Sequence, residues 1–192
     1  KMCDDASFFN REAIYYPAKD AIFYSADVHG NQITGERLRC ISRIINHSST
    51  GEGVLTVVTT MDGIADRLIP VERFKEAVIT LDYSSEIDTE RLAKKLVSMG
   101  FVRTGMVEDK GQFAIRGGII DIFSYTDEAP VRIELWDTEV DSIRMFDVES
   151  QRSIERLQSY SIFPATEYIF TEDELKNGLY NSMEECDRHL AC

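Results

Sequence analysis

The spacing of apolar and polar positions changes character twice along the chain. Between Glu12 and Pro70 it alternates between strand-like and helix-like stretches. Ala13-Ile14-Tyr15-Tyr16-Pro17 is a short apolar run stopped by proline. From Thr34 onward Leu38, Ile41 and Ile45 recur at three- and four-residue steps, which predicts an amphipathic helix ended by Ser48-Ser49-Thr50-Gly51-Glu52-Gly53. Val54-Leu55-Thr56-Val57-Val58 is unbroken and β-branched, as in a parallel strand covered on both faces. Thr59 to Leu68 then reads as a helix stopped by Pro70. Strand, helix, strand, helix predicts an α/β layer.

The second regime opens with Val71 to Leu81 and a helix start at Asp88-Thr89. Leu92, Leu96 and Met99 mark that helix's core face, and Gly100 closes it. Beyond it the period falls to two. Residues 101–107, 112–123, 131–136, 140–146 and 154–163 read as strands, separated by Asp109-Lys110-Gly111, Asp127-Glu128-Ala129-Pro130 and Asp137-Thr138. One helix followed by an antiparallel meander predicts an α+β unit. Threonine resists positive φ, so the hairpin at Asp137-Thr138 is expected to be longer than two residues or bulged. After Phe163-Pro164-Ala165-Thr166-Glu167 the period returns to helical. Thr171-Glu172-Asp173-Glu174 is a capping-box start for a helix running towards Leu190, with Leu175, Leu179 and Met183 on one stripe. That stripe either folds back on the sheet or belongs with a further domain.

Charge narrows the partners. The 192 residues carry 34 acidic against 21 basic groups, a net charge of −13. Residues 1–70 hold 7 basic and 9 acidic groups, residues 71–165 hold 12 and 18, and residues 166–192 hold 2 and 7. With no basic third, direct nucleic-acid binding is disfavoured. The longest apolar runs, Val54–Val58 and Ile119–Phe123, fall far short of the ~18 residues of a membrane span. The opening Lys1-Met2-Cys3-Asp4-Asp5 has no signal-peptide pattern and no initial methionine, so the chain is expected to be a piece of a longer one. Cys3, Cys40, Cys186 and Cys192 are scattered without a C-x-x-C pair, which predicts reduced thiols in a cytoplasmic protein and neither zinc site nor disulfide framework. His29, His47 and His189 are far apart and read as surface residues.

Candidate chemistry is sparse. A phosphate cradle of the type G-x-x-x-x-G-K-[ST] is absent, and Gly51-Glu52-Gly53 precedes a strand where the cradle must follow one. Asp62 and Asp66 lie one helical turn apart with no third ligand, and Asp137, Glu139 and Asp141 read as a solvated hairpin tip. No catalytic, cofactor or metal residue is assigned. The densest signal is Gly111-Gln112-Phe113-Ala114-Ile115-Arg116-Gly117-Gly118-Ile119-Ile120-Asp121-Ile122-Phe123. Alternation puts Phe113 and Ile115 on one face and Ala114 and Arg116 on the other, with the glycine pair allowing a bulge or a close backbone approach. Arg116 then projects away from the core. Arg103, on the preceding strand-like segment, is placed to lie beside it, giving two guanidinium forks for carboxylates on a partner. The alternative pairs both with Glu108 and Asp121 of the same chain.

These segments, with Pro130-Val131-Arg132-Ile133-Glu134-Leu135-Trp136, Glu139-Val140-Asp141-Ser142-Ile143-Arg144, Phe146-Asp147, Ser150-Gln151-Arg152-Ser153-Ile154 and Pro164-Ala165-Thr166-Glu167, resemble the UvrB-homology module of the bacterial transcription-repair coupling factors. The resemblance is strongest from Gly100 to Glu167 and colinear before that. It implies a fold of mixed α/β and α+β class: an incomplete nucleotide-binding-like α/β layer (1–72), a small α+β domain with an antiparallel sheet (73–165), and the start of a returning helical segment (166–192). It also implies a partner, the excinuclease subunit UvrA, gripped by the family arginines that fall on Arg103 and Arg116, with other domains of the same full-length chain as further partners. UvrB carries a second arginine where this chain has Ala114, which favours the coupling factor. The rival readings are a fragment of a UvrB-type ATPase and a purely structural unit.

Overall fold

The computed structural model describes residues 13–19, 28–50, 53–65, 68–170 and 172–190. Cys3, Cys192, Gly51, Glu52, Asp66 and Thr171, singled out above, lie outside them. The opening layer is a βαβ unit: β1 (Ala13–Tyr16), α1 (Val28–Thr50) and β2 (Thr56–Thr59), with β1 and β2 parallel and Ile14 in register with Val57. Leu38 and Ile45 of α1 are buried with Phe74, and Cys40 with Ile14 and Tyr16. The expectation that Val54 to Val58 is covered on both faces does not hold, because Val54 and Val57 are exposed. Nor is Thr59 to Leu68 one helix: β2 runs through Thr59, and α2 (Met61–Ala65) is a single short turn of helix. Two short elements, α3 (Val71–Ala77) and β3 (Ile79–Asp82), bridge to the next unit.

There α4 (Thr89–Ser98) packs on one face of a six-stranded sheet. Asp88 caps it by accepting from the Glu90 and Arg91 amides at 2.9 and 3.0 Å, a device worth about 1 kcal/mol. At its other end Gly100 takes φ +88°, a conformation that a side chain would strain. Leu92, Leu96 and Met99 meet Phe113, Ile120, Ile122, Ile133 and Ile143 of the sheet in the largest core.

The sheet runs in chain order: β4 (Val102–Arg103), β5 (Gln112–Arg116), β6 (Ile119–Phe123), β7 (Val131–Trp136), β8 (Glu139–Phe146) and β9 (Ser153–Arg156). All neighbours are antiparallel except β4 and β5, which run parallel. The stretch 112–123 is a hairpin and not one strand. Gly117 takes φ +61° at its turn, and a Cβ on Gly118 would stand 2.9 Å from the Leu135 carbonyl, the expected close backbone approach. At Asp137-Thr138 the loop is only two residues, because Asp137, which tolerates it, takes the positive φ of 60°. The expected irregularity sits below the turn, where the register shifts between Glu134 and Leu135. The stretch 154–163 divides into β9 and β10 (Ser159–Ile162), and β10 pairs antiparallel with β3. The last helix, α5 (Glu172–Leu190), leaves Leu179, Tyr180 and Met183 exposed, so this stripe does not fold back on the sheet.

A buried ion pair ties the units together. Arg37 of α1, fully buried, holds Glu167 bidentately at 2.6 and 2.9 Å, donates to the Pro17 carbonyl at 2.7 Å and lies 4.3 Å from the Tyr16 ring centroid. Removing one partner of such a pair typically costs about 3–5 kcal/mol, since the other charge is left buried.

Candidate functional site

Strand alternation gives the sheet a second face, opposite α4, that no described helix covers. Its positions follow from the register. One row crosses Ala114, Asp121, Arg132, Arg144 and Arg156; the next crosses Arg116, Ile119, Glu134 and Ser142. Those two rows hold four arginines against two carboxylates, on a chain whose net charge is −13. Arg132, Arg144 and Arg156 stand directly opposite one another on three adjacent strands, an arrangement of like charges that opposes sheet formation.

Asp121 organises the face. It is 1% exposed, accepts from Arg132 Nε and Nη2 at 2.6 and 2.9 Å, and accepts from Arg116 Nη2 at 2.6 Å. The hairpin explains this: the turn at Gly117-Gly118 brings Asp121 back opposite Ala114, on the same face as Arg116. Arg132 is held through Nε and Nη2, donating also to Gln151 at 2.8 Å and stacking 4.3 Å from the Phe146 centroid. Its hydrogen bonds to Asp121 push its pKa up further, so its charge is permanent. Glu134 accepts from Arg144 and, at 2.8 Å, from Ser142.

Arg116 differs from Arg132. Its side chain is 43% exposed, and the bond to Asp121 uses one of its five donors. The pairing with Asp121, the alternative drawn from sequence, is therefore present, yet it orients the guanidinium without burying it. Arg103 is exposed and makes no ion pair with Glu108 among the described contacts; the Glu108 amide instead donates to Gln112 at 2.9 Å. The two arginines are not side by side. Arg103 is in register with Phe113, three residues and about 10 Å along the strand before Arg116, and like Phe113 it lies on the α4 side, so the two guanidiniums stand on opposite faces of the sheet. Arg132, Arg144 and Arg156 were not singled out from sequence; their alignment depends on register across three strands.

Elsewhere, a cleft of ≈ 1130 Å³ opens between α1 and the β4–β6 end of the sheet, with Arg39, Lys110, Tyr125 and Thr166 among its walls. Two of its glycines make room for an aromatic ring: a Cβ on Gly35 or Gly111 would meet the Tyr125 ring at 2.8 or 2.9 Å. Burial, and secondarily Arg39, lower the pKa of Lys110 there. Among the described residues no cluster of three His, Cys, Asp or Glu is placed to hold a metal ion, and no helix is long and apolar enough to cross a membrane.

Residues 79–168 match the UvrB interaction domain family. The whole chain is 40% identical over 193 residues to the transcription-repair-coupling factor of Bacillus subtilis strain 168, and 37% identical over 195 residues to that of Staphylococcus aureus strain Mu50. The chain spans 16% of the length of each of these relatives.

Proposed function

We propose that the chain is a non-catalytic docking module that binds the excinuclease subunit UvrA, a reading supported by the match of residues 79–168 to the UvrB interaction domain family and by the similarity of the whole chain to part of a transcription-repair-coupling factor. In this reading it recruits nucleotide excision repair to stalled RNA polymerase in the bacterial cytoplasm. Residues 73–165 dock, while residues 1–72 and 166–192 form the frame and join the rest of a longer protein.

The observation that carries the proposal is the half-exposed guanidinium of Arg116, held out from the sheet by Asp121. A guanidinium fixed on a β-strand loses little freedom on meeting a carboxylate. A charge-assisted bond of this kind contributes roughly 1.5–3 kcal/mol once water is excluded. Arg103, on the α4 side of the β4 edge, is outside the surface that Arg116 presents.

Titration of UvrA with the 192-residue chain tests this. Arg116→Ala removes the exposed fork, but Asp121 keeps its bidentate bond to Arg132, so the fold persists. Affinity is expected to fall at least about tenfold, or 1.4 kcal/mol, with an unchanged unfolding midpoint. Equal affinity of variant and wild type rejects the assignment.

A further inference from the structure

Trp136, the chain's single tryptophan, is 79% exposed at the end of β7. An indole left in water forgoes the burial of roughly 150–250 Å², and scattered exposed apolar residues are ordinary on protein surfaces. Three observations set this one apart. First, it lies on the arginine face: on β7 it continues the series Arg132 and Glu134, and its register partner is Glu139.

Second, it shares this end of the face with Arg116, two strands and one row away. The Leu135 amide donates to the Gly118 carbonyl at 2.8 Å, which sets the Trp136 hairpin tip against the turn that follows Arg116. Third, the tip is pinned on its other side as well. The Ile87 amide donates to the Thr138 carbonyl at 2.7 Å, the Val140 amide to the Ser85 carbonyl at 3.3 Å, and Glu86 bridges Glu139. The indole is thus mounted on a backbone held from both flanks.

A rigid aromatic sharing a face with a fixed guanidinium is the composition of an interface hot spot: tryptophan and arginine dominate such sites, and prior ordering spares the entropy of binding. We infer that Trp136 is the apolar anchor of the docking face, entering a hydrophobic socket on the partner while a partner carboxylate meets Arg116. The carboxylate is called for by Arg116 alone, whose half-exposed fork spends one of its five donors on Asp121, whereas Arg132 and Arg144 are already paired and the indole itself stands beside Asp137 and Glu139. The inference rests on the proposed binding of UvrA and adds a contact to it.

Because the residue is unique, replacing tryptophan by 5-fluorotryptophan gives the chain one 19F resonance. Unlabelled UvrA is titrated into the labelled chain while calorimetry follows binding independently. The expected result is that the resonance shifts and loses its H2O/D2O solvent-isotope shift at saturation. W136A should weaken binding about tenfold or more without moving the unfolding midpoint, and W136F should recover part of the loss. Binding by calorimetry with an unchanged resonance and a retained isotope shift overturns the Trp136 contact and leaves UvrA recognition standing. Absence of any calorimetric binding overturns both.

Discussion

The two faces of the six-stranded sheet are made by the same strands and obey opposite rules. Towards α4, Phe113, Ile120, Ile122, Ile133 and Ile143 are each 0% exposed and interlock with Leu96 and Met99. On the other side the same strands present Arg116, Arg132, Arg144 and Arg156, with a small apolar patch of Val107, Ala114 and Phe123 at one end. The first face could hardly be rearranged without unfolding the unit. The second places like charges abreast, which stability alone does not select, and local rules broken in this way concentrate at functional surfaces. The contrast teaches that the sheet's fold and its proposed recognition are separable, one on each side of a single layer of backbone.

Substitutions on the two sides should therefore separate the two properties. The largest expected effect is Phe113→Ala: loss of transfer energy plus a cavity should lower unfolding free energy by about 3–5 kcal/mol, read by urea denaturation. A loss below 1 kcal/mol would mean the core face is not what holds the sheet. Asp121→Asn leaves two guanidiniums without their shared counter-charge and is expected to cost about 1–3 kcal/mol. It should also free Arg116 from its tether, so that UvrA affinity falls through lost orientation although no partner contact has been removed.

Arg156→Ala, on the arginine face, should do the reverse. Relieving its opposition to Arg144 is expected to leave stability unchanged or raise it by roughly 0.2–1 kcal/mol while weakening UvrA binding. Destabilisation in the same assay would place Arg156 among the structural residues.

The smallest effect concerns Asp127, whose Oδ2 accepts from the buried Tyr160 hydroxyl at 2.6 Å. Burial raises the Asp127 pKa above the ordinary carboxylate value, outweighing its hydrogen bonds. Its neutral form is thus favoured in the fold, and the associated stability is present below about pH 4 and lost as pH rises through the folded pKa. Asp127→Asn should gain on the wild type in urea midpoint between pH 4 and pH 7. A pH-independent difference would show that the carboxyl ionises without cost.

Local patterning made much of this legible beforehand. The alternation of Phe113 and Ile115 against Ala114 and Arg116 placed both faces correctly, and Leu92, Leu96 and Met99 marked the helix that covers one of them. Asp121 was also visible as a possible partner of Arg116. What escaped depends on distance along the chain. The abreast arginines require the register of β7, β8 and β9, including shifts at Glu134/Leu135 and Met145/Phe146 that no local signal announces. Arg37 and Glu167 are separated by 130 positions, so nothing near either residue points to the other. The glycine pair at 117–118 was read as a bulge or a close backbone approach within one strand; the return of Asp121 against Ala114 shows that it is a turn.

The pairing of β3 with β10 has a consequence for how such a unit spreads. Ile79 lies against Ile162 and Asp82 against Ser159, so the chain enters and leaves the α+β unit through a neck two strands wide. Splicing it into another host therefore asks for one pair of adjacent joints and no rethreading. A cassette with that geometry can be copied whole into a new gene, carrying both faces of its sheet with it.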